Sequence, residues 1–203
     1  MKNLILLLFC LAATQSFAQT AEQFDGPAWK PPYNLSMDGW GIERFPIPID
    51  FAPEIAYKGV EDIRFTKGWG DIKNPEYWSY AFAWCLDGSP IITTDSIVRN
   101  LNLYYDGLIA RNIAKRNIPA AMVFKTRTTL KKVAPVGADN ATFEGTISML
   151  DYMGKKPMKL NVTVHLKKCG TKTILFHQLS PQAASSSVWK NLQSLWTNFA
   201  CNE

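Results

Sequence analysis

Ten consecutive residues without a charge, residues 77–86, constrain the fold of this chain more than any other segment. Side chains alternate between the two faces of a β-strand, so this run separates into two unlike faces. One face carries Trp78, Tyr80, Phe82, Trp84 and Leu86, and the other carries Tyr77, Ser79, Ala81, Ala83 and Cys85. The pattern predicts a central strand covered on both sides. The small face suits the close approach of a helix, and the aromatic face needs a bulky cover.

A proline-rich segment precedes this strand and is the expected cover for its aromatic face. Proline fixes φ and lacks a backbone N–H, so this segment cannot form a helix interior or a central strand. It nevertheless contains many large apolar side chains: Phe24, Trp29, Tyr33, Trp40, Phe45, Ile47 and Phe51. We therefore expect residues 24–56 to form an extended arm that packs against the rest of the chain.

Hydrophobic periodicity predicts the remaining elements. One strand precedes the central strand, and a helix capped by Thr93 or Thr94 follows it. Another helix begins at Ser186 or Ser187. Apart from the central strand, the predicted strands lie at 60–66, 121–133, 141–152, 158–167 and 172–179. The first of the two helices is predicted at 94–116. Short turns between the late strands indicate antiparallel pairing. The predicted fold class is α+β: an antiparallel sheet of about six strands, with two helices and a Pro/Trp-rich N-terminal arm. Helices on one face are the natural architecture for such a sheet, but the pattern does not determine which side each helix covers.

The N-terminus has the order of a cleavable secretory signal peptide. Lys2 is followed by an apolar run at 4–13, and the small residues Ser16 and Ala18 occupy the −3 and −1 positions before Gln19. The apolar run is shorter than the ~20 residues that span a bilayer. We expect a signal peptide at 1–18 and a single domain at 19–203, located in the periplasm or secreted. We expect neither a membrane span nor a nucleic-acid partner.

Three cysteines remain after the predicted cleavage: Cys85, Cys169 and Cys201. Export permits disulfides, and an odd number leaves one thiol over. Cys169 lies beside a predicted hairpin turn and Cys201 lies near the C-terminus, so both are expected to be accessible. We predict that these two pair and that Cys85 is buried.

No motif in the sequence indicates a metal, a cofactor or a catalytic nucleophile. A catalytic zinc site needs about three clustered ligands, but the chain has two histidines, His165 and His177, predicted on neighbouring strands. Ser187 and Lys190 match the S-x-x-K pattern of penicillin-binding enzymes and serine β-lactamases, in which the serine is the nucleophile. The companion motifs of those enzymes are absent, and a serine at the start of a helix accounts for the match. Cys169 could act as a nucleophile with His165 or His177 as its base. However, a hairpin turn lacks the helix N-terminus that typically lowers the pKa of a thiol, and a structural disulfide is the simpler role for this cysteine.

Two features suggest a ligand. Five of the seven tryptophans fall within residues 29–84, and the carboxylates Glu43, Glu54, Glu61, Asp62, Asp71 and Glu76 lie among them. Tryptophan faces beside carboxylates suit carbohydrate or another small ligand, and the candidate binding residues are Trp40, Trp69, Trp78 and Trp84. Core packing of the arm is the simpler explanation of the same pattern. The second feature is a cationic sheet surface for an anionic envelope component, formed by Lys125, Arg127, Lys131, Lys159 and Lys167, with Lys155, Lys156, Lys168 and Lys172 at the turns. A solvated polar face would explain it equally.

These observations favour a non-enzymatic binding or structural domain of the cell envelope. The alternative is a glycosidase-like envelope hydrolase, because two carboxylates about 5–9 Å apart can cleave a glycosidic bond. The two functions differ in one structural requirement. The hydrolase needs two carboxylates that converge in an open cleft, whereas a binding domain needs only accessible aromatic rings.

Overall fold

The computed structural model describes residues 24–202, so the signal peptide predicted at 1–18 lies outside the described residues. Within this range the chain forms nine strands, two α-helices and one short 3-10 helix. The strands are β1 (Tyr33–Asn34), β2 (Gly41–Ile47), β3 (Gly59–Phe65), β4 (Tyr80–Asp87), β5 (Arg127–Val133), β6 (Ala141–Asp151), β7 (Lys156–Cys169), β8 (Lys172–Ser180) and β9 (Ala200–Cys201). The helices are α1 (Thr94–Ile113) and α2 (Ser187–Thr197), and the 3-10 helix is Ala120–Met122.

Seven of these strands form one antiparallel sheet in the order β2-β3-β4-β8-β7-β6-β5, which confirms the predicted α+β class. The six predicted strands are all present, and the seventh, β2, comes from the proline-rich arm. Pro46 is tolerated in β2 because this strand lies at the sheet edge and pairs on one side with β3. Strands β1 and β9 form a separate two-stranded sheet.

Strand β4 has the two unlike faces that the sequence predicts. Phe82 and Trp84 belong to one apolar cluster, whereas Ala81 and Ala83 belong to a second cluster on the other side of the sheet. The strand begins at Tyr80, three residues later than expected. Successive turns occupy residues 66–78, and Trp78 ends them with a left-handed backbone (φ 54°).

The two helices cover opposite faces of the sheet and do not share one face, a point that the sequence pattern leaves open. Helix α1 packs Leu101 and Tyr104 against the aromatic face of β4, and α2 packs Leu192 and Leu195 against the small face. The physical reason lies in β4 itself, since neither of its faces is polar and each therefore needs an apolar cover. The arm contributes buried side chains to both clusters: Tyr33 and Leu35 on the α2 side, and Ile47, Ile49 and Ile55 on the α1 side.

Two predicted boundaries also differ from the structure. Strand β5 begins at Arg127 rather than 121, because the chain forms the 3-10 helix directly after Pro119. Helix α1 ends at Ile113 rather than 116, and Asn117 then adopts a left-handed backbone (φ 51°). The start of α1 is as predicted, with the Thr93 side chain accepting a hydrogen bond from the backbone N–H of Ser96.

A buried charged network fixes the start of the arm to the sheet edge. Asp62 is fully buried on the α2 side of β3 and forms ion pairs with Arg44 and Arg64. The guanidinium of Arg64 also donates to the backbone carbonyl of Leu35, at 2.9 and 3.1 Å, and the Tyr33 hydroxyl donates to Asp62 at 3.2 Å. A buried charge is tolerated only when it is paired and hydrogen-bonded, so this arrangement specifies where residues 33–35 lie.

A disulfide joins Cys169, at the end of β7, to Cys201 in β9, with Cα atoms 5.4 Å apart. It attaches the small β1–β9 sheet to the β7–β8 turn of the large sheet. Among the described residues, Cys85 is the free cysteine, and its side chain is buried beneath α2. Burial raises the pKa of the Cys85 thiol to about 11, so this side chain is a packed apolar group rather than a nucleophile.

Gly107 marks the closest approach of α1 to the arm and gives a test of this packing. A Cβ added there would lie 1.8 Å from the backbone carbonyl oxygen of Phe51. Alanine normally stabilises a helix by about 1 kcal/mol relative to glycine, but here we expect Gly107→Ala to destabilise the fold by roughly 1–3 kcal/mol in urea denaturation. Gly70→Ala is the control, since nothing lies within 4 Å of its added Cβ. A G107A protein that unfolds at a higher urea concentration than the wild type would contradict this packing.

Candidate ligand-binding site

A cavity of about 240 Å³ lies between the aromatic face of the sheet, helix α1 and the arm. Eight of its twelve lining residues are aromatic. These eight residues come from five parts of the chain. Strand β2 contributes Phe45, the arm after it contributes Phe51, helix α1 contributes Tyr104, and the chain after β6 contributes Tyr152. The fifth part is the segment from β3 to β4, which contributes Phe65, Trp69, Trp78 and Tyr80. Ile63 and Leu108 complete the apolar part of the wall, and Glu43 and Arg111 are its charged members.

The rings of this wall hold one another in place. Phe65 and Trp69 are stacked with centroids 4.4 Å apart, and Trp69 meets Trp78 edge to face at 6.1 Å. Phe51 meets Tyr104 edge to face at 5.1 Å. Such pairs prefer stacked or edge-to-face contact, so the rings restrict each other's rotation. The cavity is therefore largely formed before any ligand arrives.

The cavity continues into an outer groove of about 450 Å³, formed by the arm and the end of α1. Pro46, Pro48 and Asp50 line the groove alone, while four residues line both spaces: Glu43, Phe45, Phe51 and Arg111. Glu43 and Arg111 are exposed, so these four residues define the mouth through which the inner cavity meets solvent.

The two charged residues of the mouth differ in how they are paired. Arg111 forms an ion pair with Asp50 at 3.2 Å, and its guanidinium lies 5.1 Å above the centre of the Phe51 ring. Within residues 24–202, Glu43 is in none of the ion pairs. The mouth therefore presents a carboxylate available to a ligand and a cation that already has a partner.

Three polar groups of the inner wall are already hydrogen-bonded within the protein. The indole N–H of Trp78 donates to Asp151 at 2.9 Å, and the Tyr104 hydroxyl donates to Glu61 at 2.8 Å. The hydroxyls of Tyr80 and Tyr105 bond to each other. The inner cavity therefore offers a ligand few polar contacts, which come from the Trp69 indole and the Tyr152 hydroxyl, and its charged groups lie at the mouth.

Glu61 lies directly beneath the cavity wall and is fully buried. Burial raises the pKa of this carboxyl to about 8, against the opposing effect of the hydrogen bond from Tyr104. Its second oxygen has no partner within the described residues. At neutral pH the side chain is therefore mostly a neutral carboxylic acid, and it adds no full charge to the cavity.

His177 is buried on the same face of the sheet as Glu61. Its ring stacks on Phe82 with centroids 4.2 Å apart and meets Trp84 at 5.0 Å. Burial lowers the pKa of His177 to about 3, so the ring is neutral at pH 7. His165 projects from the opposite face, because β7 and β8 pair His165 with Phe176 and Val164 with His177.

The four predicted binding tryptophans do not meet in one place. Trp69 and Trp78 line the cavity. Trp84 is fully buried below it and lies 6.1 Å from Tyr104, centre to centre. Trp40 packs on the opposite side of the sheet, against the cluster that α2 covers.

The six predicted carboxylates are also dispersed. Glu43 lies at the mouth and Glu61 is buried beneath the wall, whereas Asp62 is buried on the other face of the sheet. Asp71 and Glu76 accept backbone N–H groups within the turns of residues 66–78, and Glu54 is exposed on the arm. No two of these carboxylates converge in an open cleft within the described residues.

Tyr104, Leu108 and Arg111 were not among the predicted site residues. Their spacing places them on one face of a helix, and the sequence does contain that signal. What this face covers depends on how α1 packs on the aromatic face of the sheet and on the arm, which the sequence pattern does not indicate.

The predicted cationic surface is partly neutralised. Lys125 pairs with Asp106 at 3.2 Å and Lys172 with Asp87 at 2.6 Å, while the ammonium of Lys167 lies 5.6 Å above the Trp196 ring. Arg127, Lys131 and Lys159 are exposed on the face of β5–β7. The turn lysines Lys155, Lys156 and Lys168 are exposed as well.

A second polar cluster attaches α2 to the sheet. His165 bonds through Nδ1 to Asp139 at 2.7 Å and through Nε2 to Gln178 at 3.2 Å. The Trp196 indole donates to Asp139 at 2.9 Å, and Gln178 donates to the Leu192 carbonyl at 2.6 Å. Burial acts to raise the pKa of Asp139, but hydrogen bonds from His165 and Thr142 outweigh it and hold that pKa below its ordinary value. Trp196 and Leu192 belong to α2, whereas His165 and Gln178 belong to β7 and β8, so these hydrogen bonds attach the helix to the sheet.

Within residues 24–202, no group of three or more His, Cys, Asp or Glu side chains could hold a metal ion. No helix in the same range is long and apolar enough to cross a membrane.

Glu61 gives the fold a pH dependence that one substitution can isolate. The folded chain keeps the proton of Glu61 between about pH 4.5 and 8, whereas the unfolded chain loses it, so its contribution to stability falls as pH rises through this window. Glu61→Gln cannot ionise, and we expect it to be more stable than the wild type by roughly 3 kcal/mol at pH 7, with little difference below pH 4.5. Urea denaturation of both proteins at pH 4, 6 and 8 measures this difference in the free energy of unfolding. His177 has the opposite pH dependence, but it is present in both proteins, so its contribution cancels in the difference. The exposed Glu54→Gln is the control, and an E61Q advantage that stayed constant with pH would refute the buried neutral acid.

Comparisons of the chain with protein-family models, with curated proteins and with solved structures found no match. The chemistry of the aromatic cavity and its mouth is therefore the basis on which a function can be argued.

Proposed function

We propose that this chain is an exported, non-enzymatic domain that binds a small ligand in the aromatic cavity. One observation carries the proposal: a space of about 240 Å³ walled by eight aromatic rings stays open beside a core in which other large side chains are fully buried. Protein interiors are normally packed to the density of organic crystals, so an unfilled aromatic space with its own mouth is the feature expected of a ligand site.

The wall favours a ligand with an apolar body over a carbohydrate. A sugar carries hydroxyl groups on every side, and each needs a hydrogen-bond partner when it leaves water. Several polar groups of the wall already bond within the protein, as the Trp78 indole does to Asp151 and the Tyr104 hydroxyl does to Glu61, so few remain for sugar hydroxyls. An apolar or aromatic body fits this interior, with its polar group at the mouth beside Glu43 and Arg111.

Binding is favoured over glycoside hydrolysis because the carboxylates are not arranged for catalysis. A glycosidase needs an acid and a second carboxylate on either side of an accessible bond. Glu61 is the protonated carboxyl of this region, but its side chain is fully buried. Glu43 is exposed at the mouth, and the other exposed carboxylate of the groove, Asp50, is paired with Arg111 and does not line the inner cavity.

Export is supported by the sequence of the first residues and by the disulfide. Residues 1–18 have the charged, apolar and small-residue segments of a signal peptide. The bond between Cys169 and Cys201 is a feature of proteins that mature in an oxidising compartment.

Trp69→Ala tests the binding site. The wild-type chain from residue 19 is titrated with a panel of small aromatic and aliphatic compounds and of neutral sugars, and its thermal unfolding is followed. A ligand at 100 times its Kd stabilises by about 2.7 kcal/mol, which raises the Tm by several degrees. We expect such a shift with apolar compounds, and its loss in W69A. Trp40→Ala is the matched control, because Trp40 packs on the other side of the sheet.

Two outcomes would overturn the proposed site. The first is a panel in which no apolar compound raises the Tm of the wild type. The second is a shift that W69A retains and W40A loses, since it would move the ligand to the α2 side of the sheet.

Export has its own measurement. The chain expressed from Met1 in a bacterial host is recovered from the periplasm or medium, and its intact mass is determined. We expect the mass of residues 19–203 with one disulfide. Recovery of the full-length chain from the cytoplasm alone, with all thiols reduced, would contradict export.

A further inference from the structure

We infer that the ligand of the aromatic cavity is an organic cation, with a substituted ammonium group held among the rings and against Glu43. The inference rests on the proposed binding function and names its ligand class. It follows from the composition of the wall, from the pairing of the charges at the mouth and from the small number of hydrogen-bonding groups available inside.

The rings provide the first argument. An aromatic face carries partial negative charge, and a cation within about 6 Å of the ring centre is attracted to it. Two rings of this cavity already have a cation over their faces. Arg111 lies 5.1 Å from the centre of Phe51, and Arg116 lies 5.1 Å from the centre of Tyr152. A wall of eight such rings favours a positive group in the space that they enclose.

The charges at the mouth provide the second argument. Glu43 and Asp50 are acidic and Arg111 is basic, so these three groups sum to one negative charge. Arg111 and Asp50 are bonded to each other at 3.2 Å. Glu43, which lines both the cavity and the groove, is therefore the charge that remains for a ligand. An anionic ligand would meet an Arg111 whose charge is already partly balanced by Asp50, and it would also face Glu43.

The interior supplies the third argument. A substituted ammonium group has few or no N–H donors, so it can leave water for an aromatic wall without stranding a hydrogen bond. The inner wall offers mainly rings and aliphatic side chains, and the Trp78 indole and the Tyr80 and Tyr104 hydroxyls are already bonded within the protein. Glu61 does not compete for the cation, because it is sealed below the wall with no exposed surface.

The test compares two probes of the same shape and different charge. Choline and 3,3-dimethyl-1-butanol differ in that the alcohol has carbon in place of the quaternary nitrogen. Isothermal titration calorimetry of the wild type is expected to give choline about tenfold tighter binding than the alcohol, with an affinity that falls as salt is added. Benzenesulfonate is the anionic probe, and we expect it to bind more weakly than either.

Two variants connect this preference to the cavity. Glu43→Gln is expected to weaken choline about tenfold and to leave the alcohol unchanged, because it removes the charge and keeps the shape. Trp69→Ala is expected to weaken both probes. Glu54→Gln is the matched control, since it removes an exposed carboxylate that lies outside the cavity, and it should change neither affinity.

The outcomes separate this inference from the function on which it rests. If uncharged compounds bind in a Trp69-dependent manner but choline binds no better than the alcohol, the binding site stands and its preference for a cation is wrong. The same holds if benzenesulfonate binds more tightly than choline, or if E43Q retains full affinity for choline. If no probe and no compound of the apolar panel binds the wild type, both the inference and the proposed function fail.

Discussion

The structure depends on one constraint, which is that strand β4 has no polar face. Water can reach neither Phe82 and Trp84 on one side nor Ala81 and Ala83 on the other, so the sheet must be covered twice. Helix α2 lies close to the small face, where the absence of large side chains permits it. Helix α1 and the arm share the aromatic face, and large rings there meet other large rings. The cavity lies at the end of that face nearest the sheet edge, where flat rings from five parts of the chain enclose space without filling it.

The aromatic face also contains the polar groups that the fold can least easily accommodate. Glu61 and His177 are each buried beside rings, and burial moves their pKa values in opposite directions, to about 8 and about 3. Each is thereby neutral near pH 7, which lowers the cost of having them in an apolar core. The charge of this region is found instead at the mouth, on Glu43, Asp50 and Arg111. The lining of the cavity is therefore uncharged inside and charged at its entrance. For this reason the apolar body of a ligand is assigned to the interior, and the preference for a charged group is assigned to the mouth.

The sequence predicted what depends on neighbouring residues and missed what depends on distant ones. The alternation in β4, the cap at Thr93 and all six central and late strands follow from local periodicity and local hydrogen bonds. The edge strand β2 was missed because prolines argue against strands, and only its position beside β3 makes Pro46 acceptable. For the site, the sequence indicated Trp69, Trp78 and Glu43. It also grouped them with Trp40, which faces the other way, and it missed Arg111. Membership of a cavity is set by contacts between residues far apart in sequence, such as Phe51 with Tyr104.

The place of β4 in the sheet has a consequence for the order in which the chain can fold. Its partner β3 directly precedes it in the chain, but its other partner, β8, and the helix that covers its small face come much later. Until they are synthesised, the central strand has an unpaired edge and at least one uncovered apolar face, which is the condition under which chains aggregate. The sheet therefore closes around its centre only after β8 has been made, although the strand at that centre is among the first to form.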